Sequence, residues 1–191
     1  MERPAEKWLP QSEDLMVVRG FVAPFADQLV EKSKQPHIRR WTPRDASERF
    51  KDLDSALERV KNNETHLLVD VNTYDVGGVI WYGRKEPPID VSPHNPSYTF
   101  AIRLYESYQG QGLARPFMRK SLSDFLEDRR LSGELRDYGA SLGGIWLDVD
   151  ENHQRAITRY KEFGYQTVGG NDDRLVMVLS IERILEIFRG A

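Results

Sequence analysis

Apolar and polar positions change period several times along the chain, and each change marks an element. Residues 15–19 form a short apolar run that reads as a strand. Over residues 21–34 the spacing becomes helical through Phe25, Leu29 and Val30, until Gln35-Pro36-His37 interrupts it. A second helix is predicted over residues 47–62, with Phe50, Leu53, Leu57 and Val60 on one face and Asp45 and Ser47 as candidate caps. Residues 65–71 and 76–82 read as strands that Asn72-Thr73-Tyr74-Asp75 joins into an antiparallel hairpin. Gly77 and Gly78 weaken the second strand, which points to a bulge or a close backbone approach. Residues 85–96 contain four prolines and form a loop, with Asp90 and His94 expected in solvent.

The clearest change of period comes next. Phe100, Ile102 and Leu104 alternate with Ala101, Arg103 and Tyr105, as in a strand. After Gln109-Gly110-Gln111-Gly112, Leu113, Phe117, Leu122, Phe125 and Leu126 fall on one helical face. Pro116 lies in the first turns of this helix, where a missing N–H is tolerable only near the start. Residues 129–144 make a link longer than αβ connections usually have, and Leu131, Leu135 and Leu142 suggest a further helical turn within it. A strand follows over residues 145–149. Next comes a short helix over residues 155–163, with Ala156, Ile157, Tyr160 and Phe163 on one side and Gly164 as its C-cap. A strand at residues 165–168, a tight turn at Gly169-Gly170-Asn171-Asp172, a strand at residues 175–180 and a terminal helix at residues 181–188 complete the prediction.

Composition narrows the class. A chain of 191 residues fits one domain, with residues 1–14 as a polar arm. Charged residues make up 30% and the mean hydropathy is −0.60, which predicts a soluble, cytoplasmic protein with no membrane partner. The net charge of −3, with both signs interspersed, argues against general nucleic-acid binding. Without cysteine there is no disulfide, thiol nucleophile or cysteine metal site. The four histidines, His37, His66, His94 and His153, show no ligand spacing, so no metal is expected.

A strand that leads through a glycine turn into a helix is a ready anion site. The free N–H groups of a first helical turn carry partial positive charge, and glycines let a phosphate come close. The run is neither a P-loop nor a dinucleotide fingerprint, since the Gly-Lys-Ser/Thr and the third glycine are both missing. Gln109-Gly110-Gln111-Gly112-Leu113-Ala114 does fit Q/R-x-x-G-x-G/A, and here the chain resembles the GCN5-related N-acetyltransferase (GNAT) superfamily. A second point of resemblance runs from Leu147 through Asn152, Ala156, Ile157 and Tyr160 to Gly164 and Tyr165, in the family's order.

The resemblance implies an α/β fold with a mixed, mostly antiparallel central sheet of six to seven strands. Helices flank the sheet, which splays where acetyl-CoA binds. It implies that residues 109–114 hold the pyrophosphate and that the backbone of Ile102 and Leu104 pairs with the pantetheine arm and meets the thioester oxygen. Tyr160 matches the family's tyrosine general acid, against the plainer reading of a satisfied core tyrosine. Counted back from Ala156, the family's asparagine position holds His153, with Asn152 one residue early. Asn152 would cap the helix or reach the pantetheine, and His153 is the other candidate for that role. The segment from His37 to Arg44 faces the acceptor or is a solvated basic loop. The base is open among Asp148, Asp150, Glu106 and water.

The implied activity is transfer of acetyl from the cosubstrate acetyl-CoA to a primary amine of a small molecule or a protein N-terminus. Two other readings stand beside it: a non-catalytic acyl-CoA-binding sensor or scaffold, and a plain α/β interaction domain. Residues 129–144 extend either the acceptor side or an oligomer contact such as a homodimer's.

Overall fold

A computed structural model describes residues 14–20, 23–131 and 143–189. Seven strands form one sheet in the order β1-β2-β3-β4-β5-β7-β6. Strand β1 (Leu15–Arg19) pairs antiparallel with β2 (Glu64–Asp70), Leu15 opposite Asp70 and Arg19 opposite His66. Strand β3 (Val76–Arg84) follows β2 through so short a turn that the pair can only be antiparallel. Bonds from Tyr105 N–H to the Gly77 carbonyl and from Lys85 N–H to the Ser97 carbonyl show β4 (Tyr98–Leu104) running antiparallel to β3.

The parallel pair is β4 with β5 (Gly144–Asp150), and its ladder matches only Tyr98 with Ile145 and Thr99 with Trp146. Strand β5 also pairs antiparallel with β7 (Arg174–Ser180) along its whole length, and β7 pairs antiparallel with β6 (Gln166–Asn171).

The chain divides into two compact units. The first comprises Met1–Lys61, Thr65–Ile80 and Ile102–Asp124, and the second Asn62–Glu64, Trp81–Ala101 and Phe125–Ala191. In the first unit, Leu29, Val30, Ile38, Phe50, Ala56, Leu67, Val79 and Phe117 are buried. Here the helical segment departs from the predicted pattern. Helix α1 (Ala26–Ser33) is preceded by a 3₁₀ turn at Ala23–Phe25, while the predicted start at Phe21 lies outside the described residues. The interruption at Gln35 is real, but the chain re-enters a helix at once as α2 (Pro36–Trp41), with the proline in its first turn where no N–H is needed.

The helix predicted over residues 47–62 is two pieces. A π-helical turn, Asp45–Arg49, closes with Phe50 N–H on the Asp45 carbonyl at 2.8 Å. Phe50 leaves helical geometry at φ −133°, and α3 (Leu53–Lys61) starts afresh. The break rotates the face: Ala56 is fully buried, whereas Leu53 is 43% exposed. Neither predicted cap acts as one. Asp45 is buried in a cluster of arginines, and Ser47 Oγ donates to the Pro43 carbonyl at 3.2 Å.

The predicted close approach at Gly77 and Gly78 is present. A Cβ on Gly77 would lie 2.6 Å from the Tyr108 ring, and one on Gly78 would lie 2.7 Å from the Arg103 carbonyl oxygen. Strand β4 then leads through a 3₁₀ turn, Glu106–Tyr108, to α4 (Ala114–Leu131). Pro116 falls in the first turn of α4, where it costs no hydrogen bond.

In the second unit Trp146, Val176 and Val178 pack together, with Val91 of the proline-rich loop among them. Trp146 Nε1 donates to the Lys85 carbonyl at 2.6 Å, and Phe125 stacks on Tyr82 at 4.2 Å. Asp90 is exposed as expected, while His94 is half-buried. The turn predicted at residues 169–172 is displaced. Gly169 and Gly170 belong to β6, at a bulge where a Cβ on Gly169 would strike Ile89 Cδ1 at 2.6 Å. The reversal instead uses Asp172, at φ +51°. Gly164 ends α5 (Gln154–Phe163) at φ +123°, and α6 (Ile181–Arg189) is the last helix described. Of the predicted link, Leu135 and Leu142 lie outside the described residues.

Candidate functional site

The first unit holds the glycine turn. Gly110 and Gly112 both have positive φ, +76° and +75°, and nothing lies within 4 Å of where either would carry a Cβ. Left-handed backbone suits glycine, and the open space above it leaves room for a ligand. The turn is braced from below. Gln109 Nε2 donates to the Leu104 carbonyl at 2.8 Å, and Gln111 Nε2 to the Ser107 carbonyl at 2.7 Å. Leu113 is buried and anchors α4, and Phe117 N–H bonds its carbonyl at 3.1 Å. Ala114 opens the helix. The first turn of α4 contains no acidic residue and carries Arg115 instead. A cation there works against the helix dipole.

Next to the turn, the main chain of β4 is held by side chains. The Ile102 carbonyl accepts from Arg103 Nη1 at 2.8 Å, and the Leu104 carbonyl from Gln109 and from His37 Nε2, the latter at 3.3 Å. Arg103 also donates through Nε to Asp45 Oδ2 at 2.6 Å, and Arg49 Nη1 donates to Asp45 Oδ1 at 2.7 Å. Burial alone would raise the Asp45 carboxyl, but the two guanidiniums outweigh it and hold the group below the ordinary aspartate range. Nearby, burial pushes the Arg59 guanidinium down to about 10, helped by the positive charges of Arg49, Arg103 and Arg44. Sequence reasoning missed the Asp45–Arg103 tie, because the partners lie 58 positions apart and carry no shared motif. Tyr108, whose ring covers Gly77, is pushed up to about 12 by burial and by Asp75.

The second unit holds the other motif. Tyr160 is half-buried on α5 and meets Phe100 edge-on at 6.4 Å and Tyr165 at 5.8 Å. Phe100 stands two positions before Ile102 in β4. Tyr165 is buried, which holds its hydroxyl protonated well above the usual tyrosine range. The N-cap position of α5 is His153, whose side chain makes no capping hydrogen bond, so Asn152 is not the cap residue. Asn152 is exposed in the preceding turn, where its N–H donates to Asp150 Oδ1 at 2.9 Å.

Each of the three carboxylates considered as a base is placed by the structure. Asp148 is paired with Arg174, which also holds its carbonyl at 2.9 Å. Asp150 is occupied with the turn at Asn152, and Glu106 is exposed at the foot of the glycine turn. Among the described residues no group of histidines and carboxylates could hold a metal ion, and no helix is long and apolar enough to cross a membrane.

No protein-family profile and no curated protein matches the sequence. Solved structures do match, and the chain shares their fold, that of the GNAT acetyltransferases. One of them is an aminoglycoside N(6')acetyltransferase from Legionella pneumophila, 18% identical, with 92% of this chain covering 97% of that one at a TM-score of 0.64. Another is a spermidine N-acetyltransferase from Vibrio cholerae in complex with CoA and spermine, 16% identical over 91% of this chain and 99% of that one, TM-score 0.62. A third is a ribosomal-protein-S5-alanine acetyltransferase from Vibrio fischeri, 15% identical over 91% and 96% of the two chains, TM-score 0.57.

Proposed function

We propose that this protein is an N-acetyltransferase that moves the acetyl group of acetyl-CoA to a primary amine of a small molecule or a protein N-terminus. The observation that carries the reading is the turn at Gly110 and Gly112. Its left-handed backbone, the open space above it and the acid-free first turn of α4 make a fitted cradle for a pyrophosphate. The structures matched include acetyltransferases for three kinds of amine, one of them with CoA bound, which supports the same chemistry here.

Acetyl-CoA supplies an activated acyl group, and the chain's residues do the rest. Gln109, Gly110, Gln111, Gly112, Leu113 and Ala114 bind the pyrophosphate. Main-chain N–H groups of Ile102 and Leu104 hold the thioester oxygen as negative charge grows on it. Tyr160 gives a proton to the departing sulfur. Asn152 or His153 steadies the pantetheine arm. A protein that binds acyl-CoA without turnover is the second reading, and the exposed, turn-forming Asn152 is the feature that favours it.

Calorimetry with acetyl-CoA tests the site. The wild type should bind in roughly the micromolar range, and Gly112→Trp should lose binding by at least about a hundredfold. Gly112→Ala carries the same backbone strain without the bulk and should keep most of the affinity. Absence of binding by the wild type sinks the reading. Thiol release with spermidine, ribostamycin or a peptide beginning with alanine separates enzyme from sensor. In the enzyme, Tyr160→Phe should lower kcat by roughly 10²-fold or more.

A further inference from the structure

The acetyl-transfer reading leaves the amine's proton without an acceptor, and the first unit offers one. His37 is the second residue of α2 and is half-buried. Its Nε2 lies 3.3 Å from the Leu104 carbonyl oxygen. A carbonyl only accepts, so that contact requires a proton on Nε2, and in the neutral ring the lone pair is then on Nδ1.

The carbonyl and the helix that make this contact are themselves held in place. Gln109 takes the other share of the same carbonyl at 2.8 Å, so the oxygen has two donors. Just before the histidine, Gln35 Oε1 accepts from Glu106 N–H at 3.2 Å and ties the start of α2 to the end of β4. Ile38, the next residue, is buried. Thus an imidazole with a basic nitrogen is held against Leu104, one of the residues given the thioester above. By contrast, Asp148 is tied to Arg174 and Asp150 to the Asn152 turn.

We propose that His37 is the general base of the reaction, and this rests on the acetyl-transfer reading. The amine enters as its free base. Its nitrogen forms the new bond to the acetyl carbon while His37 Nδ1 takes one of its protons. The carbon–sulfur bond breaks, its electron pair leaves with sulfur, and sulfur takes the proton of Tyr160. Solvent carries the proton from the imidazolium back to the tyrosine, so an amine and a thioester become an amide and a thiol with no net proton change.

His37→Gln is the discriminating variant, because its side-chain amide can still donate to the Leu104 carbonyl but cannot take a proton. We expect kcat on whichever of spermidine, ribostamycin or the alanine peptide is acetylated to fall about 10²–10⁴-fold. Calorimetric affinity for acetyl-CoA should stay within about twofold, and added imidazole should restore turnover to His37→Gly. Unchanged kcat in His37→Gln overturns the proposal, since a mere fastener would tolerate the glutamine. A measurement on the wild type alone stands beside it. Long-range ¹⁵N correlation should show His37 with its proton on Nε2, and a proton on Nδ1 alone overturns the assignment. Acetyl-CoA binding with normal His37→Gln turnover sinks only the base. A wild type that binds no acetyl-CoA, or binds it and acetylates none of the three amines, sinks the transferase reading with it.

Discussion

Two neighbouring regions of the first unit behave oppositely. The turn at residues 109–114 does what its residues say: both glycines take left-handed backbone, and the helix begins where the period changes. The segment at residues 35–61 does not. A helix begins at the proline that marked a break, and the next predicted helix splits at Phe50. The turn is governed by local backbone chemistry, which six residues carry in full. The helical segment is governed by what Asp45 and Phe50 reach across the chain, and a buried ion pair with β4 overrides the run of helical periodicity.

The sharpest way to break this comparison is Asp45→Ala. If the arginine cluster decides the segment, removing its buried carboxylate should cost about 3–5 kcal/mol, because Arg103 and Arg49 lose their shared partner. Denaturant midpoints measure it, and a loss under about 1 kcal/mol would return the segment to local control.

Glycines give the next contrast. Gly78→Ala places a Cβ 2.7 Å from a main-chain oxygen and should cost about 1–3 kcal/mol. Gly112→Ala meets no atom and should cost only the left-handed strain, roughly 1–2 kcal/mol. Should Gly112→Ala prove the worse in thermal melts, the space above the turn is not open.

Acid titration follows from the depressed Asp45 carboxyl. Below the ordinary aspartate value of 3.8, the unfolded chain binds a proton at this position before the folded one does. The stability that Asp45 contributes is therefore present above that pH and is lost as the pH falls through the lower folded value. Asp45→Asn should flatten the acid limb of the stability curve, and an unchanged limb would show that other carboxylates set it.

The smallest effect is expected at Leu53. The helical pattern puts it in the core, yet it is 43% exposed, so Leu53→Ser should change stability by no more than about 0.5 kcal/mol. A loss of 2 kcal/mol or more, the scale of a buried leucine, would restore the single helix.

By itself the sequence determined the features whose physics is local. Alternation set β4, the paired glycines and Leu113 set the turn and the seat of α4, and Gly164 ended α5. It also carried the order of the two motifs, from which the GNAT fold was legible. Only the tertiary structure decided that Phe50 breaks a helix, that Gly169 and Gly170 sit inside a strand, that Asp45 is a buried ion rather than a cap, and that His37 rests on the Leu104 carbonyl. Each of these depends on partners far away in the chain, and a pattern read over a few turns contains no information about which distant side chain will satisfy a given charge, space or carbonyl.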